Sequence, residues 1–420
     1  MNDSYDADVL VAGGGLAGAA LACRLRRDGV GVIVVDKAEF PREKPCGEGL
    51  LPHGVDLLNG LGLGDVVDAC GGRPFRGILY HCHGVVAAGD FADGQQGRGL
   101  RRRRLDEAVR ARAAGAGATL VRARVERATV DDAGATLTLD DGRTLRGRVV
   151  VGADGPRSTV RHTLGLDGGP PRRARYALRR HFRLPAGSAL PDRVEVHVGD
   201  DHELYVTPVA AADGDDHAVV GVAALCERSL MTGGTGRPDD RLAALIAACP
   251  PLARRLSDAE PDGPALSCGP LRVHTRDVAF GRALLVGDAA GYVDAITGEG
   301  MSLALQTAGF AADAIGDVLA GAAVAPATAR YRRARAAVFR DHAILTLGLV
   351  ELARRPFFAR RVIARLAREP ALFSRLLEVN NGTLPLASFG LANLLRLALG
   401  TALTVPALPS GAGPTAASAN

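Results

Sequence analysis

The 420-residue chain has no tryptophan, only three methionines and no Cys-x-x-Cys pair. Its seven cysteines (23, 46, 70, 82, 226, 249 and 268) are odd in number and widely scattered. That pattern excludes a disulfide framework and fits a reducing compartment. One string, His81-Cys82-His83, looks metal-like. Alternate strand residues face opposite ways and no second cluster completes it, so no metal is expected. Neither charge dominates: 51 basic and 46 acidic residues leave +5, which does not call for nucleic acid but suits anionic cofactors or lipid. The start, Met1 to Asp6, lacks a basic lead and a leader-like apolar run, which predicts a cytoplasmic protein. Internal repeats are absent as well. What is present, 47% hydrophobic and 23% charged residues, describes a globular chain long enough for two or three domains.

Apolar runs set the organisation. Residues 7 to 12 read as a buried strand, 16 to 28 as a helix and 31 to 35 as a second strand, a βαβ unit. A helix is expected at 105 to 114, strands at 119 to 122, 136 to 140 and 148 to 152, then a strand at 283 to 286 and a helix from about 299 to 320. Between these blocks the period shortens: 176 to 183, 193 to 198, 203 to 209 and 218 to 224 alternate like an antiparallel sheet, joined by strands near 77 to 91. The expected fold is α/β, a discontinuous Rossmann-like domain (1–75, 100–165 and 270–326) with an inserted antiparallel-sheet substrate domain (76–99 and 166–269). A basic helical region (327–404) and a disordered tail (405–420) follow. The stretch 384 to 408 carries one charge, Arg396, and is interrupted by prolines, so a helix docked on the body is expected there; an interfacial membrane helix is the alternative.

Two glycine signatures stand about 270 residues apart. Gly13-Gly14-Gly15-Leu16-Ala17-Gly18 follows a strand and opens a helix, and Asp36-Lys37 closes the next strand. Gly13 permits the tight turn, Gly15 the approach of a pyrophosphate and Gly18 close helix packing, while Asp36 accepts ribose hydroxyls. That site alone fits NAD or FAD. Downstream, Gly287-Asp288 ends a strand where a carboxylate can meet ribityl hydroxyls, and Thr297-Gly298-Glu299-Gly300-Met301 opens a helix whose amides can face a flavin pyrimidine. Two distant sites suit the length of FAD. No second strand-glycine-helix unit exists for a resident nicotinamide, so NAD(P)H is expected only as a transient reductant.

With Asp154-Gly155 between them, these motifs make the chain resemble the para-hydroxybenzoate hydroxylase-like flavoprotein superfamily over about residues 7 to 320. The resemblance implies non-covalent FAD. The segment Pro41-Arg42-Glu43-Lys44-Pro45-Cys46-Gly47-Glu48-Gly49-Leu50 is similar to the strip beneath the flavin in the geranylgeranyl reductase branch, and an arginine before Leu105-Asp106, here Arg102, would reach the phosphates. Arg101 to Arg104 also read as an anion or membrane patch, Cys46 as a flavin neighbour or a small buried residue, and Arg42 and Lys44 as charge partners or surface groups.

Halogenases of the family carry two tryptophans and a lysine, and the reductases an aromatic substrate strand. The missing tryptophan disfavours the first, and Tyr205-Val206-Thr207-Pro208, which keeps only the ends of the second motif, weakens the reductase reading. The leading expectation is a monooxygenase that hydroxylates a hydrophobic, aromatic or polyketide-like compound with NAD(P)H and O2, through oxygen added at flavin C4a. A reductase of isoprenoid or quinone-like C=C bonds is the alternative, and a flavin electron carrier a third. Cys46, Glu48, His181 and Tyr205 are the candidate catalytic groups, with His197 a further substrate-side candidate. The basic, apolar C-terminal helices also allow peripheral membrane contact.

Overall fold

The computed structural model describes residues 5–171, 173–211, 217–232 and 236–399. Val9, Leu10, Val11 and Ala12 are wholly buried, as an uninterrupted apolar run should be when both faces of a parallel strand are covered. Strand Ala7–Ala12 pairs in parallel with Val32–Asp36 on one side and Thr144–Gly152 on the other. The sheet runs Ala279–Phe280, Ala283–Leu285, Thr144–Gly152, Ala7–Ala12, Val32–Asp36, Thr119–Arg122, and an antiparallel extension (Ala135–Leu139, Val125–Val130) leaves Thr144–Gly152. Chain order reverses at Ala7–Ala12, so a crevice opens at the carboxyl ends of the central strands. Helices Leu16–Arg27 and Gly300–Leu319 pack on each other there, and their buried alanines, Ala19, Ala308 and Ala312 among them, belong to one core.

The second sheet has the order Glu260–Cys268, Tyr176–Arg183, Val219–Cys226, His202–Val209, Val194–Val198, Gly77–Cys82, Val85–Asp90. It corrects the expectation in two ways. Glu260–Cys268 was not foreseen, and Val194–Val198 runs parallel to Gly77–Cys82. Those two strands come from separate excursions of the chain, so no hairpin forces them antiparallel. One face of the sheet packs Leu178, Leu204, Val206 and Val222 on Leu242, Ile246 and Leu252. The other looks into the crevice.

The C-terminal region is helical over Val324–Ala353, Pro356–Arg368, Pro370–Asn380 and Gly390–Leu399. Pro356 and Pro370 open their helices, where the missing N–H costs nothing. Ile363, Leu366, Phe373 and Leu377 bury against Phe75, Phe91, Val194 and Val196, which covers the free sheet edge and docks the region on the body. Residues 400–404 of the expected helical stretch and the whole expected tail, 405–420, lie outside the described residues. Among the described residues no helix is long and apolar enough to cross a membrane.

One buried ionic cluster joins the inserted sheet to the crevice. Arg175 donates from Nε to Asp294 Oδ2 (3.1 Å), from Nη2 to Asp294 Oδ1 (2.6 Å) and from Nη1 to Glu203 Oε2 (2.5 Å). Burial pushes the Glu203 carboxyl up even against the pull of Arg175. Removing the cation strands two buried carboxylates. Arg175→Met is therefore expected to lower stability by about 3–5 kcal/mol, read as the urea unfolding midpoint; a change within about 1 kcal/mol would show that the cluster does not hold the two parts together.

Candidate active site

At the adenosine end, Gly13 adopts φ +105° and its missing Cβ leaves room for the Ala153 backbone, while a Cβ on Gly18 would strike the Gly13 carbonyl. These glycines are required by protein packing. Gly15 differs: a Cβ there would meet only Arg42 Nη2, at 3.3 Å, so the turn is open on its outer side. Helix Leu16–Arg27 starts beside that opening with no side-chain cap, its first amides directed at the crevice. Asp36 accepts from Gly14 N (2.7 Å, Oδ2) and Ala38 N (2.8 Å, Oδ1), which fixes the carboxylate and leaves lone pairs for ribose hydroxyls. Leu16, Ala17 and Lys37 line the same crevice.

Arg102 and Arg42 share one carboxylate. Arg102 grips Asp106 through Nε (3.0 Å) and Nη2 (2.7 Å), both groups buried, and Arg42 Nη2 stands 3.7 Å from Asp106 Oδ2. Arg102 lines the crevice, its guanidinium oriented by Asp106. Arg42 lies closer to the glycine turn. Asp154 caps helix Thr159–Thr163 with Oδ2, accepting from Thr159 N (2.7 Å) and Val160 N (3.2 Å); its Oδ1 is buried with no partner. Burial raises this carboxyl above its ordinary range. Gly155, at φ +79°, leaves open space beside it.

At the far end, Gly287 (φ +57°) donates its amide to Thr307 Oγ1 (3.0 Å), and Asp288 pairs with Lys44 Nζ at 3.4 Å. Helix Gly300–Leu319 begins without a side-chain cap, and Gly298 (φ +73°) has nothing within 4 Å of where a Cβ would stand. Met301 and Gly300 line the crevice. Glu299 faces the other way and meets His342 Nδ1 at 2.9 Å, a buried contact with helix Val324–Ala353. The open glycine faces, uncapped helix starts and unpartnered Asp154 oxygen follow one continuous cleft of about 1040 Å³. An elongated dinucleotide fits that arrangement.

Between the two ends runs the loop Glu43–Glu48. Glu48 holds φ +61°, a left-handed conformation costly for a residue with a Cβ. Its Oε1 accepts from Arg102 N (2.9 Å) and its Oε2 meets His181 Nε2 (2.5 Å). Arg179 donates to Glu43 Oε2 (2.6 Å) and Lys44 O (3.0 Å), and its Nη1 meets His181 Nδ1 (3.0 Å). Burial alone would raise the Glu48 carboxyl, but His181, Arg179 and the Arg102 amide outweigh it and hold the group below its ordinary range.

The four candidate catalytic residues thus divide. Cys46 lines the cleft, its Sγ 3.4 Å from the Glu48 amide. Tyr205 also lines it, near Ile296 O (3.4 Å), and burial keeps its phenol protonated by raising it well above the ordinary value. Glu48 and His181 spend their polar atoms on each other and on the clamp, and His181 is set behind the cleft wall. His197 is further away still, on the opposite face of the sheet. Sequence reasoning missed Arg175 and the Glu299–His342 pair, and it read Arg179 as a group for an acidic substrate or for solvent where the structure sets it on Glu43 and the Lys44 carbonyl. Each partner lies far off along the chain, and only the glutamate inside Thr297-Gly298-Glu299-Gly300 hinted at a role.

Because the Glu48 carboxyl is depressed in the folded state, its contribution is full above the unfolded value and fades as pH falls through the folded one. Glu48→Gln should cost about 1–3 kcal/mol at pH 7 and progressively less below the ordinary carboxylate range, measured by urea unfolding of both proteins at each pH. An offset that stays constant down to strongly acid pH would show that the carboxylate charge plays no part.

A family model described as an FAD binding domain matches residues 6–224. The menaquinone reductase of Mycolicibacterium smegmatis is 30% identical over 335 residues, 73% of this chain and 76% of that protein. The ubiquinone hydroxylase UbiL of Rhodospirillum rubrum is 33% identical over 336 residues, 71% of this chain and 70% of its own length. A flavoprotein/dehydrogenase from Cytophaga hutchinsonii superposes with TM-score 0.81 at 20% identity, covering 94% of this chain and 98% of that one. A halogenase solved with phloroglucinol and FAD gives TM-score 0.75 at 15% identity over 95% and 86% of the two chains, a likeness of fold alone. The three glycine motifs on one crevice and the family match over more than half the chain agree: the protein is an FAD-dependent oxidoreductase and belongs to the FAD-binding-domain family of para-hydroxybenzoate hydroxylase-like flavoproteins.

Proposed function

We propose that this flavoenzyme acts on a lipid of the isoprenoid-quinone class and hydrogenates one of its C=C bonds. The observation that carries the reading is the apolar sleeve beyond the flavin end of the cleft: Ile78, Val194 and Val196 of the inserted sheet face Leu345, Leu349 and Phe373 of the C-terminal helices. Such a sleeve suits a prenyl chain better than a small phenol. The two relatives named above act on quinones by name, and the substrate class rests on that agreement as well.

Bound FAD, reduced by transient NAD(P)H, supplies the hydride. The protein's share is placement, exclusion of water and the second hydrogen, a proton. Cys46 is our candidate proton donor, because it is a protic side chain at the cleft wall whose sulfur accepts from the Glu48 amide and from Arg102 Nη1, at 3.8 Å, and whose S–H is left to point into the cleft. Tyr205 orients the substrate head from the sheet side. The uncapped start of helix Gly300–Leu319 favours the negative charge of reduced flavin. Glu48 and His181 hold the Cys46 loop in place and take no proton from substrate.

Hydroxylation is the second reading, favoured by the ubiquinone hydroxylase relative. The same enzyme preparation separates the two. Incubated with NAD(P)H and a menaquinone or ubiquinone in detergent, the product should gain two hydrogens and form equally well without oxygen. A product carrying one added oxygen, formed only in air, would replace hydrogenation with hydroxylation. Absence of any product from quinones, with turnover of a small phenol, would overturn the lipid assignment.

The surface next to the sleeve fits delivery from a bilayer. Phe357, Phe358, Leu391, Leu394 and Leu395 are exposed on the adjoining helices Pro356–Arg368 and Gly390–Leu399, with Arg355 and Arg368 exposed near them and Arg361 stacked on Phe357. An apolar patch ringed by arginine suits an anionic lipid surface. The full chain should sediment with phosphatidylglycerol vesicles, and Phe357→Ser with Leu391→Ser should reduce that about tenfold; undiminished sedimentation of the double variant would remove this surface as the contact.

A further inference from the structure

The sheet face turned away from the flavin carries a polar group that the active site does not use. Register sets His197 of Val194–Val198 directly beside His81 of Gly77–Cys82. Their rings stack, 4.4 Å between centroids and 8° between planes. Glu195, two residues before His197 and so on the same side of its strand, brings Oε2 to 3.6 Å from His197 Nε2. Arg255 of helix Pro250–Arg255 takes the other oxygen, Oε1, and so fixes the carboxylate.

His81 Nε2 and both ring nitrogens of His197 are buried without a hydrogen-bond partner, and His197 is only 6% exposed. Buried imidazole nitrogens normally have one. Here unfilled nitrogens stand in one small space: one ligand atom from each of His81, Glu195 and His197 lies within 4.8 Å of the other two. Cys249, at the start of helix Pro250–Arg255, flanks the His197 ring. A cation would take one nitrogen of each imidazole together with the free carboxylate oxygen, with the two rings turned out of their stack so that their in-plane lone pairs converge. Two imidazoles and a carboxylate, with a thiol at hand, select a borderline transition ion over magnesium or calcium, which prefer oxygen alone. Arg255 on Glu195 is then the outer contact that orients a ligand.

We propose that His81, Glu195 and His197 form a binding site for a zinc-class divalent ion, with Cys249 available for the fourth position. The site is separate from the flavin chemistry. It fastens two strands of different excursions to helix Pro250–Arg255, a structural role at the parallel junction of Gly77–Cys82 with Val194–Val198. His81-Cys82-His83 alone could not reveal it, because the completing ligands come from a strand more than 100 residues later and His83 turns to Asp200 instead.

The test uses the full chain, treated with chelator and then titrated calorimetrically with zinc chloride. About one equivalent per chain should bind, and saturating zinc should raise the unfolding temperature by roughly 5 °C. Cobalt(II) in place of zinc should give the visible bands of a tetrahedral ion, to the red of the flavin absorption. A His81→Gln/His197→Gln variant should lose roughly 100-fold or more in zinc affinity while its flavin spectrum is retained. Equal zinc binding by wild type and variant overturns the proposal. So does the wild type alone if it shows neither zinc uptake at micromolar concentration nor cobalt bands, a result that needs no folded variant.

Discussion

The whole molecule is arranged around one constraint: a rod-shaped cofactor must be held at both ends by a chain that can offer only one phosphate turn at a time. The chain meets it by returning to one sheet edge. Strands Ala7–Ala12, Thr144–Gly152 and Ala283–Leu285 are mutually parallel, so their carboxyl ends, with Gly13, Asp154-Gly155 and Gly287, come out side by side. Everything placed between those returns is free to become something else. The inserted sheet is what this chain has placed there, and the C-terminal helices follow the last return.

Burial of charge recurs wherever the parts meet. Arg175 binds two carboxylates where the inserted sheet meets the loop after Gly287, Arg179 and His181 pin the Glu43–Glu48 loop, and Glu299 meets His342 beneath the flavin helix. Each pair is costly to desolvate and strongly destabilising to break singly, so such contacts specify geometry more than they add stability. The left-handed Glu48 belongs to the same economy of position. Its strained backbone is tolerated because both carboxylate oxygens are occupied.

Local chemistry explains what could be read from sequence. The helix expected at 16 to 28 runs Leu16–Arg27, and that expected from about 299 to 320 runs Gly300–Leu319, because glycine turns and apolar periodicity are properties of short windows. The places of Gly15 just before a helix and of Asp36 at a strand end follow from the same short windows. His181 was visible as a strand histidine, but whether it faces a substrate or a carboxylate depends on Glu48, some 130 positions earlier. Arg102 was located by its neighbours Leu105 and Asp106, yet its orientation by Asp106 required knowing that both are buried. Ion pairs across such separations leave no periodic trace, and the parallel junction of Gly77–Cys82 with Val194–Val198 has no turn signal to betray it.

Helix Val324–Ala353 has two duties on neighbouring turns. Leu345 and Leu349 line the cleft, and His342, one turn before Leu345, meets Glu299, the residue immediately before helix Gly300–Leu319. A rigid rod cannot shift at one of these points without the other feeling it. The cleft wall at Leu345 and the start of helix Gly300–Leu319 are therefore geared to each other through a single turn of backbone.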